Sequence, residues 1–407
     1  MTNIEYENLN IPCFKSAILN LTDSCNCNCR YCFMDFNPKQ MTFETAKQSI
    51  DWLYRVWLKR VGMMDQGLTM ENLPSLTFFG GEPTLRWDDI IIPSLEYISN
   101  VINPKIKKLY PEGYMGTNIT TNGTLLTPDR IRLLKLYNCP VLLSIDGDKE
   151  TQDFNRPLRT GGSSFDLVEK NIPSLLHYFP NTTFRSTIIP ATVHNLYDNF
   201  IFAIQSGFTN YFATPNKYEA WSKEDLQILR EQMYKIGMTI LYFTMEEHPI
   251  HFSLLDAVLV HQFSDSKKLT TIHKCGLGTQ TISIGADGNL YGCQEEASKD
   301  NTIYHIGHLD TGIDKEKHLM LLNQITQQGT ISSATRDCSQ CPCQDYCSGN
   351  YCTVSNLATT GDPLKCGEIE CEWKNILHDT AKMMLYQAEL EKSDHFIQYL
   401  LDLVKRG

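Results

Sequence analysis

The sequence lacks any surplus of positive charge: 36 Lys and Arg stand against 47 Asp and Glu, a net charge of −11. No basic surface recommends nucleic acid as a partner, and an excess of this size reads as a solvated surface. No run of about 18 apolar residues is present, so no membrane span is expected. Residues 1–8 are acidic and have no apolar centre, which excludes a signal peptide there. The 15 cysteines therefore argue for reduced thiols and metal sites in a cytoplasmic protein and not for disulfides. At 407 residues the length favours two or three domains with a sizeable core.

Cys25, Cys29 and Cys32 have the spacing CxxxCxxC, which holds three corners of a [4Fe–4S] cube and leaves one iron open. An open metal position is a reaction site, whereas a fully ligated one is structural. Zinc and unrelated thiols are the alternatives that clustered cysteines leave standing. Residues 16–21 are apolar and partly β-branched and are followed by Thr22, Asp23 and Ser24, so they read as a buried strand opening into a loop. That places the cysteines at the C-terminal end of a first strand, where barrel folds carry their chemistry. A second apolar run, 76–79, is followed by Gly80-Gly81-Glu82-Pro83. Two glycines let backbone approach a ligand closely, and the acid can accept hydrogen bonds from an ammonium group. A tight turn is the plain alternative.

Both motifs, with Tyr31 before the last cysteine, resemble the radical S-adenosylmethionine (radical SAM) superfamily. The resemblance implies that Cys25, Cys29 and Cys32 ligate a cluster whose open iron is chelated by S-adenosylmethionine, which an electron then cleaves to a 5′-deoxyadenosyl radical. Tyr31, Gly80, Gly81 and Glu82 are expected at that cofactor. So are the segments Thr120-Thr121-Asn122-Gly123-Thr124 and Ser144-Ile145-Asp146-Gly147, each at a strand end. By the same resemblance the Ser144 hydroxyl and Arg185 meet the methionyl carboxylate, an anion that suits a guanidinium fork. A surface salt bridge is the other reading of Arg185, Asp146-Gly147 is equally a turn, and Arg156 is a rival for the carboxylate.

Strand-like runs at 17–21, 76–79, 118–121, 141–145, 184–189 and 211–213 alternate with helical patterns. Phe43, Ala46, Ile50, Leu53 and Trp57 recur at the spacing of one buried helix face, and Thr127-Pro128 suits a helix start. Six such alternations imply an α/β protein with a parallel sheet and right-handed crossovers. The family adds a partial (β/α)6 TIM-like barrel over 1–215. Residues 216–272 read as a helical linker capped at Ser222, with Leu226, Leu229, Met233 and Ile236 as a core stripe.

The C-terminal half is cysteine-rich. Cys275 precedes a hairpin of 281–284 and 289–293 turning at Asp287-Gly288, which would bring Cys275 and Cys293 to one end. Then come Cys338-x2-Cys341-x5-Cys347-x4-Cys352, Cys366 and Cys371. This resembles the SPASM extension, a C-terminal cysteine-rich iron–sulfur domain, placed at 273–372 and followed by a C-terminal helix over 373–407. The resemblance implies two auxiliary [4Fe–4S] clusters, three in all. One is held by Cys338, Cys341, Cys347 and Cys371. The other is held by Cys275, Cys293 and Cys352, with its fourth position taken by Cys366, another group or a substrate thiolate. Cys366 could also replace Cys371, and zinc fits paired cysteines by chemistry alone. Cys13, Cys27, Cys139 and Cys343 are left as spare thiols.

Anaerobic sulfatase-maturing enzymes share this layout but usually carry Asp after the cysteine that closes the hairpin. Gln294 stands here, and an amide cannot serve as general base. Sulfatase maturation is therefore disfavoured unless Glu295 or Glu296 substitutes, and each of these reads as an exposed charge. The expectation is a maturase of ribosomally made precursor peptides that abstracts a hydrogen and forms a cross-link, most plausibly a cysteine thioether, an auxiliary cluster taking the surplus electron. A carbon–carbon cross-link, a sulfatase-maturing or small-molecule radical dehydrogenase, and an electron-relay or activating partner are the alternatives. The expected partners are the precursor peptide and an electron donor such as flavodoxin or ferredoxin. Only 24 residues precede Cys25, far below what folds alone, so leader recognition is expected at the barrel rim, the linker or the C-terminal helix. Oxygen would attack exposed clusters, which points to an anaerobic or microaerobic cell.

Overall fold

Each apolar run of the first half becomes a strand followed by helix. Strand β1 (Ser16–Asn20) leads to α1 (Phe43–Val61), then β2 (Ser75–Phe79), β3 (Gly116–Thr121), α2 (Pro128–Leu136), β4 (Val141–Ser144), α3 (Lys149–Asn155), β5 (Thr183–Ile188), α4 (Leu196–Gln205) and β6 (Asn210–Pro215). Then come α5 (Lys223–Met245), β7 (His251–Phe252), α6 (Ser253–Ser264), β8 (Thr281–Ile284), β9 (Asn289–Tyr291), β10 (His305–His308) and β11 (Gly312–Ile313). The chain ends with α7 (Thr353–Thr360), α8 (Glu368–Glu391) and α9 (Asp394–Arg406). The structure, a computed structural model, describes residues 14–37, 39–62, 68–264, 276, 278–299, 302–326, 332–335, 337–343, 347 and 352–406. All six expected strands form, each end within two residues of its expected place. No helix among the described residues is long and apolar enough to cross a membrane.

The chain divides into two compact units: residues 1–28, 32–142 and 276–326, and residues 29–31, 143–275 and 327–407. The segments of the two units interleave along the chain.

In the first unit, β8, β1, β2 and β3 lie side by side and parallel, with Ser16 in register with both Thr281 and Ser75. Strands β9, β10 and β11 continue the order antiparallel beyond β8. The cysteine-closed hairpin therefore extends the same sheet as β1, through the Asp287-Gly288 turn at which Gly288 takes a φ of 84°. Helix α1 starts where the Thr42 side chain accepts the Thr45 N–H. It buries Ala46, Ile50, Leu53 and Trp57 as the periodicity requires.

In the second unit β5 and β6 pair in parallel register from Thr183 and Asn210 to Ile188 and Pro215, and β7 continues from β6. Leu143 and Ser144 of β4 pair with Phe184 and Arg185. Its core is aromatic: Phe184, Phe200 and Phe252 each place their rings 5.1–5.5 Å from that of Tyr211, and Trp373 of α8 reaches Phe252. The linker region is two helices, α5 and α6, and α5 begins with the full Ser222–Asp225 capping box. The single helix expected over 373–407 is instead two, because Lys392 takes a left-handed φ of 50° that ends α8.

Gly237 lets α5 and α8 approach: a Cβ there would stand 2.5 Å from Thr380 Cγ2 and 3.2 Å from Met384 Sδ. Gly237→Ala should therefore lower the melting temperature by a few degrees, overpacking of about 1–3 kcal/mol exceeding about 1 kcal/mol of helix propensity gained. Adding Thr380→Ala should restore most of the loss in thermal denaturation, and a single variant more stable than wild type would refute the close approach.

Candidate functional site

The loop that follows β1 carries the CxxxCxxC cysteines, with Cys25 and Cys29 half-buried and Cys32 exposed. In the first unit the loop after β2 is seated directly on it. A Cβ at Gly81 would meet Ser24 O at 2.3 Å, and one at Gly80, whose φ is 141°, would meet Thr22 O at 2.5 Å. Only glycine fits such contact, and it brings Gly81 N–H to Thr22 O at 2.7 Å and Glu82 N–H to Ser24 O at 2.9 Å. The close approach these glycines make is to the protein's own backbone leading into Cys25.

The Glu82 carboxylate is 1% exposed. It accepts the Thr84 N–H at 3.0 Å, the Thr84 hydroxyl, the Thr121 hydroxyl at 2.7 Å and the Asn122 N–H at 2.8 Å. Burial raises its pKa, and those hydrogen bonds pull the other way. The Asn122 amide so held donates to Asn26 Oδ1 at 2.9 Å and lies 3.4 Å from Cys27 Sγ and 3.8 Å from Cys25 Sγ. Its oxygen accepts from the Thr124 N–H and hydroxyl, and Asn26 in turn donates to that hydroxyl at 2.8 Å. Thr124 belongs to the segment 120–124 singled out from sequence, whereas Asn26, which sits between the motif cysteines, was not.

In the second unit the hub is Asp146, whose side chain is fully buried. Its Oδ2 accepts the Tyr31 hydroxyl at 2.6 Å and the Asn155 amide at 3.1 Å, and its Oδ1 accepts the Thr187 N–H at 3.0 Å. Arg156 Nη2 pairs with the same Oδ1 at 3.1 Å. The Arg156 guanidinium stands 5.3 Å from the Tyr31 ring centroid, and its Nη1 is 4.0 Å from Cys29 Sγ. Burial pushes the Tyr31 phenol well above its ordinary range. Burial also opposes the Arg156 charge, but Asp146 more than restores it, so the cation persists. Asp146-Gly147 is thus more than a turn. Ser144 and Arg185 are register neighbours on β4 and β5; Ser144 is buried, and Arg185 is half-buried and donates to the Thr187 hydroxyl at 2.9 Å.

Among the later cysteines, Cys293 is half-buried at the end of the β8–β9 hairpin in the first unit. Gln294 follows it, and Glu296, expected as an exposed charge, is buried because Lys299 pairs with it at 2.8 Å and the Thr302 hydroxyl donates at 2.7 Å. In the second unit the Cys366 thiol donates to Gly367 O at 3.6 Å, and neighbouring Cys371, burial, and the charges of Glu370 and Cys347 oppose its ionisation. Burial, Cys371 and Cys341 do the same to Cys338. Cys371 thus lies within electrostatic reach of both Cys338 and Cys366, with Cys341 near the first and Cys347 near the second. Such a donor set suits a cationic cluster, which removes the repulsion between adjacent thiolates. Ser333 Oγ lies 2.9 Å from Cys371 Sγ. Cys352 is placed differently, with Lys217 Nζ donating to it at 3.3 Å. Cys27, Cys139 and Cys343 are buried, and burial pushes Cys139 up to about 12. Cys13 and Cys275 lie outside the described residues. Among the described residues no three His, Cys, Asp or Glu side chains converge as they would on a single ion.

The radical SAM superfamily matches residues 19–198, from β1 through β5 and into α4. The chain carries a radical SAM domain. That domain contains the cysteine loop, Gly80 to Glu82, Asn122, Ser144, Asp146, Arg156 and Arg185. A cysteine-type anaerobic sulfatase-maturating enzyme of Clostridium perfringens is 23% identical over 311 residues, 70% of this chain and 75% of that one. The cyclopropyl synthase TigE of Paramaledivibacter caminithermalis is 29% identical over 172 residues, 40% of this chain. The chain spans 44% and 32% of the first two curated relatives it matches. The α/β fold with its mostly parallel strands matches a structure of anSMEcpe with bound AdoMet and Cp18Cys peptide, at a TM-score of 0.67 and 17% identity, over 92% of this chain and 99% of that one. It also matches Streptococcus suis SuiB bound to precursor peptide SuiA, at a TM-score of 0.56 and 17% identity, over 90% and 78%.

Because Glu82 is satisfied inside the protein, Glu82→Gln turns an amide N–H2 toward donors. It should cost about 1–3 kcal/mol in chemical denaturation and lower iron uptake by the Cys25 loop on reconstitution. Unchanged denaturation would mean that Glu82 is not the tie between these loops.

Proposed function

We propose that the protein is a radical SAM/SPASM maturase that modifies a precursor peptide. The observation that carries the proposal is the pairing, in one chain, of the CxxxCxxC loop of the radical SAM domain with the later cysteines Cys338, Cys341, Cys347, Cys366 and Cys371. When bound, a cluster and S-adenosylmethionine would supply a radical able to take an unactivated hydrogen. Cys25, Cys29 and Cys32 would hold that cluster, with Tyr31, Gly80, Gly81, Glu82, Ser144 and Arg185 around the cofactor. The Ser144–Arg185 register supports a shared anion site, since neighbouring parallel positions face one side of a sheet. Glu82 acts on the cofactor indirectly in this proposal, by fixing the backbone of Gly80 and Gly81.

The proposal includes a six-unit partial barrel over 1–215, a helical linker over 216–272, and a SPASM module over 273–372 with two auxiliary clusters. Cys338, Cys341, Cys347 and Cys371 would close one, with Cys366, whose ionisation Cys371 opposes, as the alternative to Cys371. Cys275, Cys293 and Cys352 would hold the other, where the Lys217 ammonium favours a thiolate. The bound peptides named for anSMEcpe and SuiB support a peptide substrate. Gln294 weighs against sulfatase maturation, and Glu296, the candidate substitute, is already paired with Lys299 and the Thr302 hydroxyl. The product we favour is a thioether from a substrate cysteine.

Anaerobic incubation with S-adenosylmethionine, a reductant and the peptide encoded beside the gene should cleave the cofactor. The peptide should lose two hydrogens and one alkylatable thiol by mass spectrometry. Conversion of a sulfatase-derived peptide instead, or cofactor cleavage with every precursor peptide unchanged, would overturn the maturase assignment.

A further inference from the structure

Arg156 and Asp146 form an ion pair buried to a degree the fold does not require. Arg156 is 5% exposed, and replacing a buried pair by apolar residues is often neutral or stabilising. Asp146 also has three other donors, from Tyr31, Asn155 and Thr187, so the cation is surplus to its hydrogen bonding. The guanidinium turns Nη2 to Asp146 at ion-pair distance and Nη1 to the Cys29 sulfur at 4.0 Å, while neither its Nε nor its Nη2 makes a hydrogen bond. The pair is therefore a fixed dipole with its positive end at Cys29. Lysine could not make both contacts, because they use the two arms of one planar fork.

We infer that Arg156 is a positioning residue that sets the reduction potential of the cluster on the Cys25, Cys29 and Cys32 loop by holding positive charge against the Cys29 sulfur. The inference rests on the radical-cluster proposal above. Reduction adds negative charge to such a cluster, and its potential follows net charge and hydrogen bonds to the sulfurs. A buried cation at this distance acts through low dielectric and favours the reduced state. Arg30, next to Cys29 in sequence, provides the contrast: it is exposed and stacks on Phe154 at 4.0 Å, where solvent and salt screen its charge.

The test is potentiometric titration by electron paramagnetic resonance without S-adenosylmethionine, following the signal absent from a Cys25, Cys29 and Cys32 triple alanine variant. Arg156→Gln, and the neutral pair Asp146→Asn with Arg156→Gln should the single variant misfold, are expected to shift the potential negative. At a fixed dithionite potential the reduced fraction should then fall several-fold. Arg156→Lys should lie between these and wild type, and Arg30→Gln should match wild type. An unchanged potential with the signal intact in every Arg156 variant would overturn the inference, as would a defect confined to S-adenosylmethionine affinity, which would assign Arg156 to the cofactor's carboxylate. Equal loss of the cluster from Arg156→Lys and Arg156→Gln would reduce the residue to loop support. Absence of the signal from wild type would instead overturn the radical-cluster proposal beneath it.

Discussion

A carboxylate cut off from water is stable only if donors replace its hydration, and Glu82 at the end of β2 meets that demand with the backbone and hydroxyls of its own loops. The order of the cysteine loop follows from this. Glu82 fixes the Asn122 N–H, Asn122 reaches Asn26, Cys27 and Cys25, and Gly80 and Gly81 let the strands' loops touch backbone to backbone. In the second unit Asp146 at the end of β4 plays the corresponding part for Tyr31 and, through Arg156, for Cys29. Two buried acids at strand ends thus fix the side chains that follow β1, as the C-terminal ends of parallel strands do in α/β enzymes.

The six strands were legible because each is a short apolar run between turn residues, and α1 because its apolar positions recur at helical spacing. The cysteine loop and Gly80-Gly81-Glu82 were legible as motifs, but the hydrogen bonds that tie the Glu82 carboxylate to Thr84, Thr121 and Asn122 were not, because they join separate loops. Asp146 looked like half of a turn because its partners Tyr31, Asn155 and Thr187 are scattered along the chain. Lys392 hid the break between α8 and α9, since a left-handed lysine has no local signature. Glu296 was misjudged for a similar reason, its burial depending on Lys299 and Thr302. The joining of β8 to β1 is a long-range pairing that periodicity cannot report.

The later cysteines divide into two environments. Burial with Cys371 and Cys341 opposes the ionisation of Cys338, and Cys371, burial and Cys347 oppose that of Cys366. Cys352 has a cation beside it. The two auxiliary clusters are what the resemblance to the SPASM extension implies, and Cys371 is the first influence on the Cys366 thiol, the ligand that the sequence left ambiguous.

The central proposal is that one chain holds a radical cluster with an open iron and two auxiliary clusters. Anaerobic iron and sulfide analysis of wild type beside the Cys25, Cys29 and Cys32 triple alanine variant tests it most directly. Four-iron cubes at all three sites predict about twelve irons falling to about eight. Four or fewer irons in wild type, or bound zinc in their place, would contradict it and make the C-terminal cysteines structural.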